Sequence, residues 1–147
     1  MKDLFIDTNV SIKLNERPLQ DAFRKLYIWL SESNDAELVV SQKLRVEYCR
    51  SCGNNSSFAL ILAHLTKNGR LKQFSKNEIE NFKHEYFKRV SFKSNREDQD
   101  LIPVVFLSDR KYVLTFDKYF KDDILNFSGF RNIAFVSDNP DNVPYEK

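Results

Sequence analysis

Residues Arg96–Phe120 read REDQDLIPVVFLSDRKYVLTFDKYF, and they decide the predicted fold. An apolar run over residues 101–107 follows several acids, as in a buried helix whose positive N-terminus attracts carboxylates. Proline is tolerated only in the first turn of a helix, so Pro103 puts the helix start near residues 99–100. Asp98 is then the predicted N-cap.

The second half of the same stretch predicts a strand. A polar turn over residues 108–111 precedes Tyr-Val-Leu-Thr, a short buried-strand pattern, and Asp117 lies just past its end. Acids therefore occur at a helix start and at a strand exit. In open α/β sheets these two places meet, because ligands bind beyond the carboxyl ends of the strands.

Short apolar strands alternate with helices through the rest of the chain. Pro18 is predicted to open one amphipathic helix, Ser41 caps a second, and Ser75 with Glu78 forms a capping box for a third. Further strands are predicted over residues 4–6, 37–40, 71–74 and 132–136. Strands that are apolar throughout indicate a parallel sheet covered on both faces. The predicted fold is a three-layer α/β/α sandwich with a short-stranded, mainly parallel central sheet.

Composition limits the class of protein. The 147 residues are 41% hydrophobic, which suits one domain over residues 1–147, with an irregular tail from about residue 138. No apolar run approaches the roughly 20 residues of a membrane helix, and an early acid excludes a signal peptide. We expect a cytoplasmic protein without a membrane partner. Its formal charge of +2 permits nucleic-acid binding without requiring it.

Two cysteines, Cys49 and Cys52, have CxxC spacing. A zinc site would need a second pair of ligands, and His64 and His84 lie outside the usual spacing. A redox pair would need to open a helix, whereas this pair closes one. We expect two buried or half-buried thiols in a reducing compartment.

Four acids occupy comparable places along the predicted fold. Asp7 follows the first strand, Glu47 lies on the helix after the second, Asp100 begins a buried helix and Asp117 follows the next strand. Right-handed crossovers bring these places to one end of the sheet. Simpler roles remain open for two of them. Asp7 suits a helix cap, and Glu47 suits an ion pair with Lys43 or Arg50 on the same helix.

The segments that carry these acids resemble a known family. In chain order they are Phe-Ile-Asp7-Thr-Asn-Val, a mid-chain Glu47, Asp100-Leu-Ile and Leu-Thr115-Phe-Asp117-Lys-Tyr-Phe. Together, from residue 4 to about residue 136, they resemble the PIN domain, a family of metal-dependent nucleases. The resemblance implies catalytic and metal-binding roles for the four acids, with Asn9 and Thr115 as supporting polar groups. Some members also carry an acid two positions earlier, so the resemblance makes Asp98 an alternative metal ligand to Asp100.

Electrostatics agrees with a metal site. Two carboxylates about 4 Å apart repel by roughly 4 kcal/mol at an effective dielectric constant of 20. A cluster of several must therefore protonate or bind a cation. Ligand sets made only of oxygen select hard ions, here Mg²⁺ or Mn²⁺, which activate water for attack on phosphorus and stabilise the leaving oxygen.

The expected activity is endonucleolytic cleavage of single-stranded or loop RNA. Basic residues on the helix of Glu47 and on the helix that Ser75 caps are candidate phosphate contacts, although such charges are usually solvated. They are Lys43, Arg50, Lys83, Lys88 and Arg89. The resemblance also implies a toxin of a toxin–antitoxin pair, with an antitoxin protein as partner, and it allows a homodimer. A degenerate PIN fold that binds nucleic acid or protein is the alternative. An aspartyl phosphatase would need Asp-x-Asp after the first strand, where Asn9 stands instead.

Overall fold

A computed structural model describes all residues, Met1–Lys147. One to three helices separate each strand from the next, and two 3₁₀ turns cover Ile12–Asn15 and Pro140–Asn142. In chain order the elements are β1 (Lys2–Ile6), α1 (Thr8–Ser11), α2 (Asp21–Glu32), β2 (Ala36–Ser41), α3 (Gln42–Cys52), α4 (Ser57–Lys67), β3 (Leu71–Phe74), α5 (Lys76–Tyr86), α6 (Arg96–Gln99), α7 (Ile102–Leu107), β4 (Tyr112–Leu114), α8 (Lys118–Leu125) and β5 (Phe135–Ser137).

The five strands form one sheet in the order β3-β2-β1-β4-β5, and every neighbouring pair is parallel. The central strand is β1, which pairs Leu4 with Leu38 of β2 and Phe5 with Val113 of β4. Helices cover the sheet. The predicted α/β sandwich with a parallel central sheet is therefore confirmed. Because the chain moves outward from β1 on one side through β2 and then on the other through β4, the sheet has its topological switch point between β1 and β4.

The sheet and its helices share one continuous hydrophobic core. It contains 33 buried apolar residues, and the β1 side chains Phe5 and Ile6 are fully buried. Tyr48 of α3 is also buried, and its hydroxyl donates a hydrogen bond to the Ile6 carbonyl. That contact fixes α3 against the carboxyl end of the central strand. None of the helices is long and apolar enough to cross a membrane.

An acid at the amino end of β1 is fully compensated. Asp3 is 2% exposed, and its carboxylate accepts the backbone N–H groups of Asp109 and Arg110 at 2.6 and 2.9 Å. The Arg110 guanidinium lies 3.9 Å from the same carboxylate. Two N–H donors and a nearby guanidinium charge therefore compensate this buried acid, as its burial requires.

The central stretch folds as two short helices where the sequence predicted one. Asn95 is the N-cap of α6, because its side chain accepts the backbone N–H of Asp98 at 2.8 Å, so Asp98 lies within α6 and the cap prediction was wrong. Pro103 lies in the first turn of α7, as expected. Because proline has no N–H, it cannot bond the carbonyl of Gln99, and α6 ends there.

Smaller differences occur elsewhere. Pro18 does not open α2, which begins at Asp21, and β5 begins at Phe135. The tail after residue 138 contains a 3₁₀ turn, and buried Tyr145 packs on Trp29 with ring centroids 4.9 Å apart. Apolar packing holds this segment although its sequence has no regular period. Among the thiols, Cys52 is half-buried but Cys49 is exposed, contrary to expectation.

Candidate functional site

Asp7 lies at the switch point, directly after β1. Only 8% of it is exposed, and its Oδ1 accepts the Thr8 N–H at 2.8 Å as the N-cap of α1. Its Oδ2 accepts the hydroxyl of Thr115 at 2.7 Å. Burial raises the pKa of Asp7 despite these two hydrogen bonds, and the charge of Asp117 raises it further. Asp7 is therefore both a helix cap and a carboxylate in an unfavourable position.

Asp117 approaches Asp7 from β4. It caps α8, since its Oδ1 accepts the N–H groups of Tyr119 and Phe120 at 2.9 and 3.2 Å. The Asp117 N–H in turn donates to the Thr115 hydroxyl oxygen at 3.1 Å. The Thr115 hydroxyl thus contacts both segments that carry the acids, which fixes their relative position.

Glu47 reaches the same place from α3. Its Oε2 accepts the Thr8 hydroxyl at 3.5 Å, a long hydrogen bond. Burial raises the pKa of Glu47, Asp7 raises it further, and Lys43 opposes the shift. The alternative role of Glu47 as a partner of Lys43 or Arg50 is not observed, because Lys43 pairs with Asp100 and Arg50 makes no ion pair.

Asp98 is the fourth acid that the structure brings to this cluster. Its pKa rises to about 6 because it is partly buried and lies near the charges of Asp7 and Asp117. The charge of Glu47 acts in the same direction. We define the acidic cluster as Asp7, Glu47, Asp98 and Asp117.

Asp100, which the sequence predicted as the primary acid here, lies between two lysines. Its Oδ2 accepts Lys43 Nζ at 2.7 Å, and its Oδ1 accepts Lys83 Nζ. Burial favours a raised pKa for Asp100, but the two lysines outweigh it and the pKa is lowered. Successive helical residues are about 100° apart, so positions 98 and 100 point in different directions at the end of α6. Asp98 consequently faces the other acids and Asp100 faces the lysines.

The remaining predicted residues have separate locations. The Asn9 side-chain oxygen accepts the Phe116 N–H at 3.3 Å, so it supports the backbone after β4. Lys43 and Lys83 are held by Asp100. The other three candidate phosphate contacts are exposed and make no ion pair, and two of them lie beyond the end of α5: Arg50, Lys88 and Arg89.

One supporting residue was missed in the sequence. Asp123 of α8 is 6% exposed, and its carboxylate accepts the N–H groups of Lys93 and Ser94, both at 2.8 Å, together with the Ser94 hydroxyl. It thereby anchors the segment that enters α6 and carries Asp98. The signal was present, because Asp123 lies three residues after Phe120 on the apolar face of α8.

The acidic cluster has the chemistry of a hard-cation site. Its four carboxylates offer only oxygen ligands, and Mg²⁺ commonly uses one or two carboxylates while keeping several waters. No three acidic, histidine or cysteine side chains lie in the arrangement of a ready-made metal site. Burial chiefly raises the pKa values of Asp7, Glu47 and Asp98, and the charges of neighbouring acids raise them further, a repulsion that a cation would relieve.

The chain matches no protein-family model, and no curated protein and no solved structure matches it significantly.

Proposed function

We propose that this protein is a metal-dependent endoribonuclease of the PIN type, which hydrolyses phosphodiester bonds in single-stranded or loop RNA. One observation carries the proposal. Four carboxylates from four separate segments converge at the switch point of a parallel sheet, and the pKa of Asp98 is raised to about 6. Asp3, which serves the fold, has a guanidinium beside its two backbone donors, whereas Asp7, Glu47 and Asp98 keep raised pKa values, and clusters of acids with perturbed pKa values are typical of functional sites.

The residues have distinct roles in this proposal. Asp7, Glu47, Asp98 and Asp117 would hold Mg²⁺ or Mn²⁺, which when bound supplies activation of water and stabilisation of the charge on the leaving oxygen. Thr115 keeps Asp7 and Asp117 in register, and Asn9 holds the backbone at Phe116. Hydrolysis by water leaves a 5′ phosphate and a 3′ hydroxyl. No histidine lies among these groups, so the acid and base usual for attack by the ribose 2′-hydroxyl are lacking.

The biological setting proposed with this activity is a toxin restrained by an antitoxin protein. It rests on the resemblance to compact PIN domains, and a homodimer is proposed with it. Size-exclusion chromatography with light scattering tests the dimer. Toxicity on induced expression, lost in Asp7→Asn, tests the toxin role.

A degenerate PIN fold that only binds RNA or protein is the second candidate. It is favoured by the pairing of Asp100 with Lys43 and Lys83, which removes one predicted metal ligand from the cluster. The two candidates differ in whether any RNA is cut.

The decisive experiment incubates structured RNA with Mn²⁺ and maps the product ends. Wild type should give 5′ phosphate and 3′ hydroxyl ends, and Asp7→Asn should give almost none. Asp21→Asn is the matched control, because the Asp21 side chain is 96% exposed on α2. Cyclic phosphate ends, or cleavage that survives in Asp7→Asn, would contradict the mechanism. Absence of cleavage with retained RNA binding would favour the degenerate fold.

A further inference from the structure

A cavity of about 360 Å³ lies beside the acidic cluster. Ser41 and Phe74, the last residues of β2 and β3, form part of its wall, so it opens at the same edge of the sheet as Asp7. Two of the residues that line the cavity are close in sequence to acids of the cluster. Lys43 on its wall is one helical turn before Glu47, and Asp100 on its wall is two residues after Asp98. The cavity therefore adjoins the acidic cluster through α3 and through the segment at the end of α6.

The polar wall is positively charged. Lys43, Lys76 and Lys83 face Asp100 and Glu80, which leaves a formal excess of one positive charge (three minus two). Lys43 and Lys83 hold the two oxygens of the Asp100 carboxylate, in the manner in which two cations grip a phosphate. Lys76 makes no side-chain hydrogen bond or ion pair and is exposed. The Asp100 carboxylate thus occupies the position between Lys43 and Lys83 where an anionic ligand would bind, and the Lys76 ammonium group has no partner.

Two residues of the cavity wall are apolar. They are Phe74, which is 5% exposed, and half-buried Ile79 of α5. Such apolar side chains can contact a base while polar groups of the same cavity bind its phosphate. The cavity volume is near the lower end of the roughly 300 to 1,000 Å³ seen for small-ligand sites, which suits one nucleotide.

We propose that this cavity binds one nucleotide of the RNA strand next to the scissile phosphate, with its phosphate on Lys43, Lys76 and Lys83 and its base against Ile79 and Phe74. The Asp100 carboxylate competes with that phosphate for Lys43 and Lys83. The assignment of RNA as the strand rests on the proposed nuclease function. Binding of a single nucleotide does not, since it requires neither metal nor cleavage.

The test is calorimetric titration of the whole protein with adenosine 5′-monophosphate in EDTA, with adenosine and inorganic phosphate as comparison ligands. The nucleotide should bind more tightly than either comparison ligand, because it alone uses both the lysines and the two apolar residues. Lys76→Gln and Lys83→Gln should each weaken its binding by about 2- to 5-fold, the range of a partly exposed charge pair. Asp100→Asn should tighten binding by a similar factor, about 2- to 5-fold, because it removes the competing anion.

Lys67→Gln on α4 is the matched control, since it removes the same charge outside the cavity, and it should leave binding unchanged. Lys76 is exposed in the first turn of α5, so its variant tests the site even where Lys83→Gln unfolds. No binding of the nucleotide to wild type, equal binding of inorganic phosphate, or weaker binding in Asp100→Asn would each overturn the proposal.

The two proposals fail separately. Nucleotide binding that follows the lysine variants, without cleavage of any RNA, refutes the nuclease and retains the cavity. Metal-dependent cleavage, with nucleotide binding indifferent to Lys76, Lys83 and Asp100, refutes the cavity and retains the nuclease.

Discussion

The hydroxyl group of Thr115 donates a 2.7 Å hydrogen bond to the Asp7 carboxylate, although the two residues are 108 positions apart. Each residue directly follows a central strand, Asp7 after β1 and Thr115 after β4. The bond therefore joins the two strand exits at the place where the sheet changes direction. It also supplies one of the few donors that stabilise the charged form of Asp7.

Thr115→Val should destabilise the protein, because it leaves a buried carboxylate without one of its two hydrogen bonds. A hydrogen bond to a charged group contributes about 1.5 to 3 kcal/mol, so the free energy of unfolding should fall by about that amount. Thr115→Ser keeps the hydroxyl and should retain most of the stability. Urea unfolding at neutral pH measures both variants. Equal stability of the valine and serine variants would contradict a role for the hydroxyl.

Stability should increase as the solution is acidified from about pH 7 to about pH 5, and Asp98 should cause part of this increase. Its folded pKa of about 6 lies above the ordinary 3.8, so the folded state holds the proton more tightly. Its contribution is present below the ordinary pKa and is lost as pH rises through the folded value. Asp100 has a lowered pKa and acts only in more acidic solution.

Urea unfolding across this pH range, with Asp98→Asn for comparison, measures the effect. The variant should show a flatter dependence, and near pH 7 it should be the more stable protein by on the order of 1 kcal/mol once solvent screening is allowed for. Asp35→Asn, on an exposed turn, is the control for a charge change alone. The same slope in wild type and Asp98→Asn would show that the acids do not interact.

Mn²⁺ or Mg²⁺ should raise the melting temperature, since a cation relieves the repulsion within the acidic cluster. Asp7→Asn and Asp98→Asn should reduce that increase. Asp100→Asn should keep most of it, because Asp100 already has two lysine partners. Thermal shifts over a metal titration distinguish the variants. If Asp100→Asn abolishes the shift and Asp98→Asn does not, Asp100 is the metal ligand and the assignment to Asp98 is wrong.

Asp123→Ala should loosen the segment that leads into α6. The substitution leaves the N–H groups of Lys93 and Ser94 without their acceptor, at about 1 to 3 kcal/mol for each one that remains buried. Hydrogen exchange of amides 93–99 should accelerate, and Asp98 should lose its fixed position. Asp122→Asn is the matched control, since the neighbouring Asp122 makes only an exposed ion pair with Lys93. Equal exchange in the two variants would contradict the anchoring role.

The sheet could be predicted from sequence because its strands are short apolar runs next to recognisable caps. Leu4 to Ile6 and Leu38 to Val40 are buried on both faces, as continuous apolar runs indicate. The start of α2 was predicted too early, because Pro18 suits the turn before a helix as well as the first helical position. The apolar patterns therefore predicted which elements exist more reliably than single residues such as Pro18 predicted where those elements begin.

The sequence predicted the acids that follow strands, but it did not predict whether Asp98 or Asp100 lies beside them. Asp7 and Asp117 follow strands, so their location depends only on sheet topology. Asp98 and Asp100 belong to a segment whose direction depends on Asn95, Pro103 and the contacts of Asp123. Those contacts join residues about 30 positions apart, which a local pattern does not contain.

Strand β1 has a buried acid near each of its ends, and this gives the molecule an internal reference. Each accepts two hydrogen bonds, but Asp3 lies beside the Arg110 guanidinium whereas Asp7 lies beside other acids. The carboxyl carbon resonances of these two aspartates would report on different processes within one strand. A perturbation of the whole fold would shift both signals together, while arrival of a cation at the acidic cluster would shift Asp7 and leave Asp3 in place.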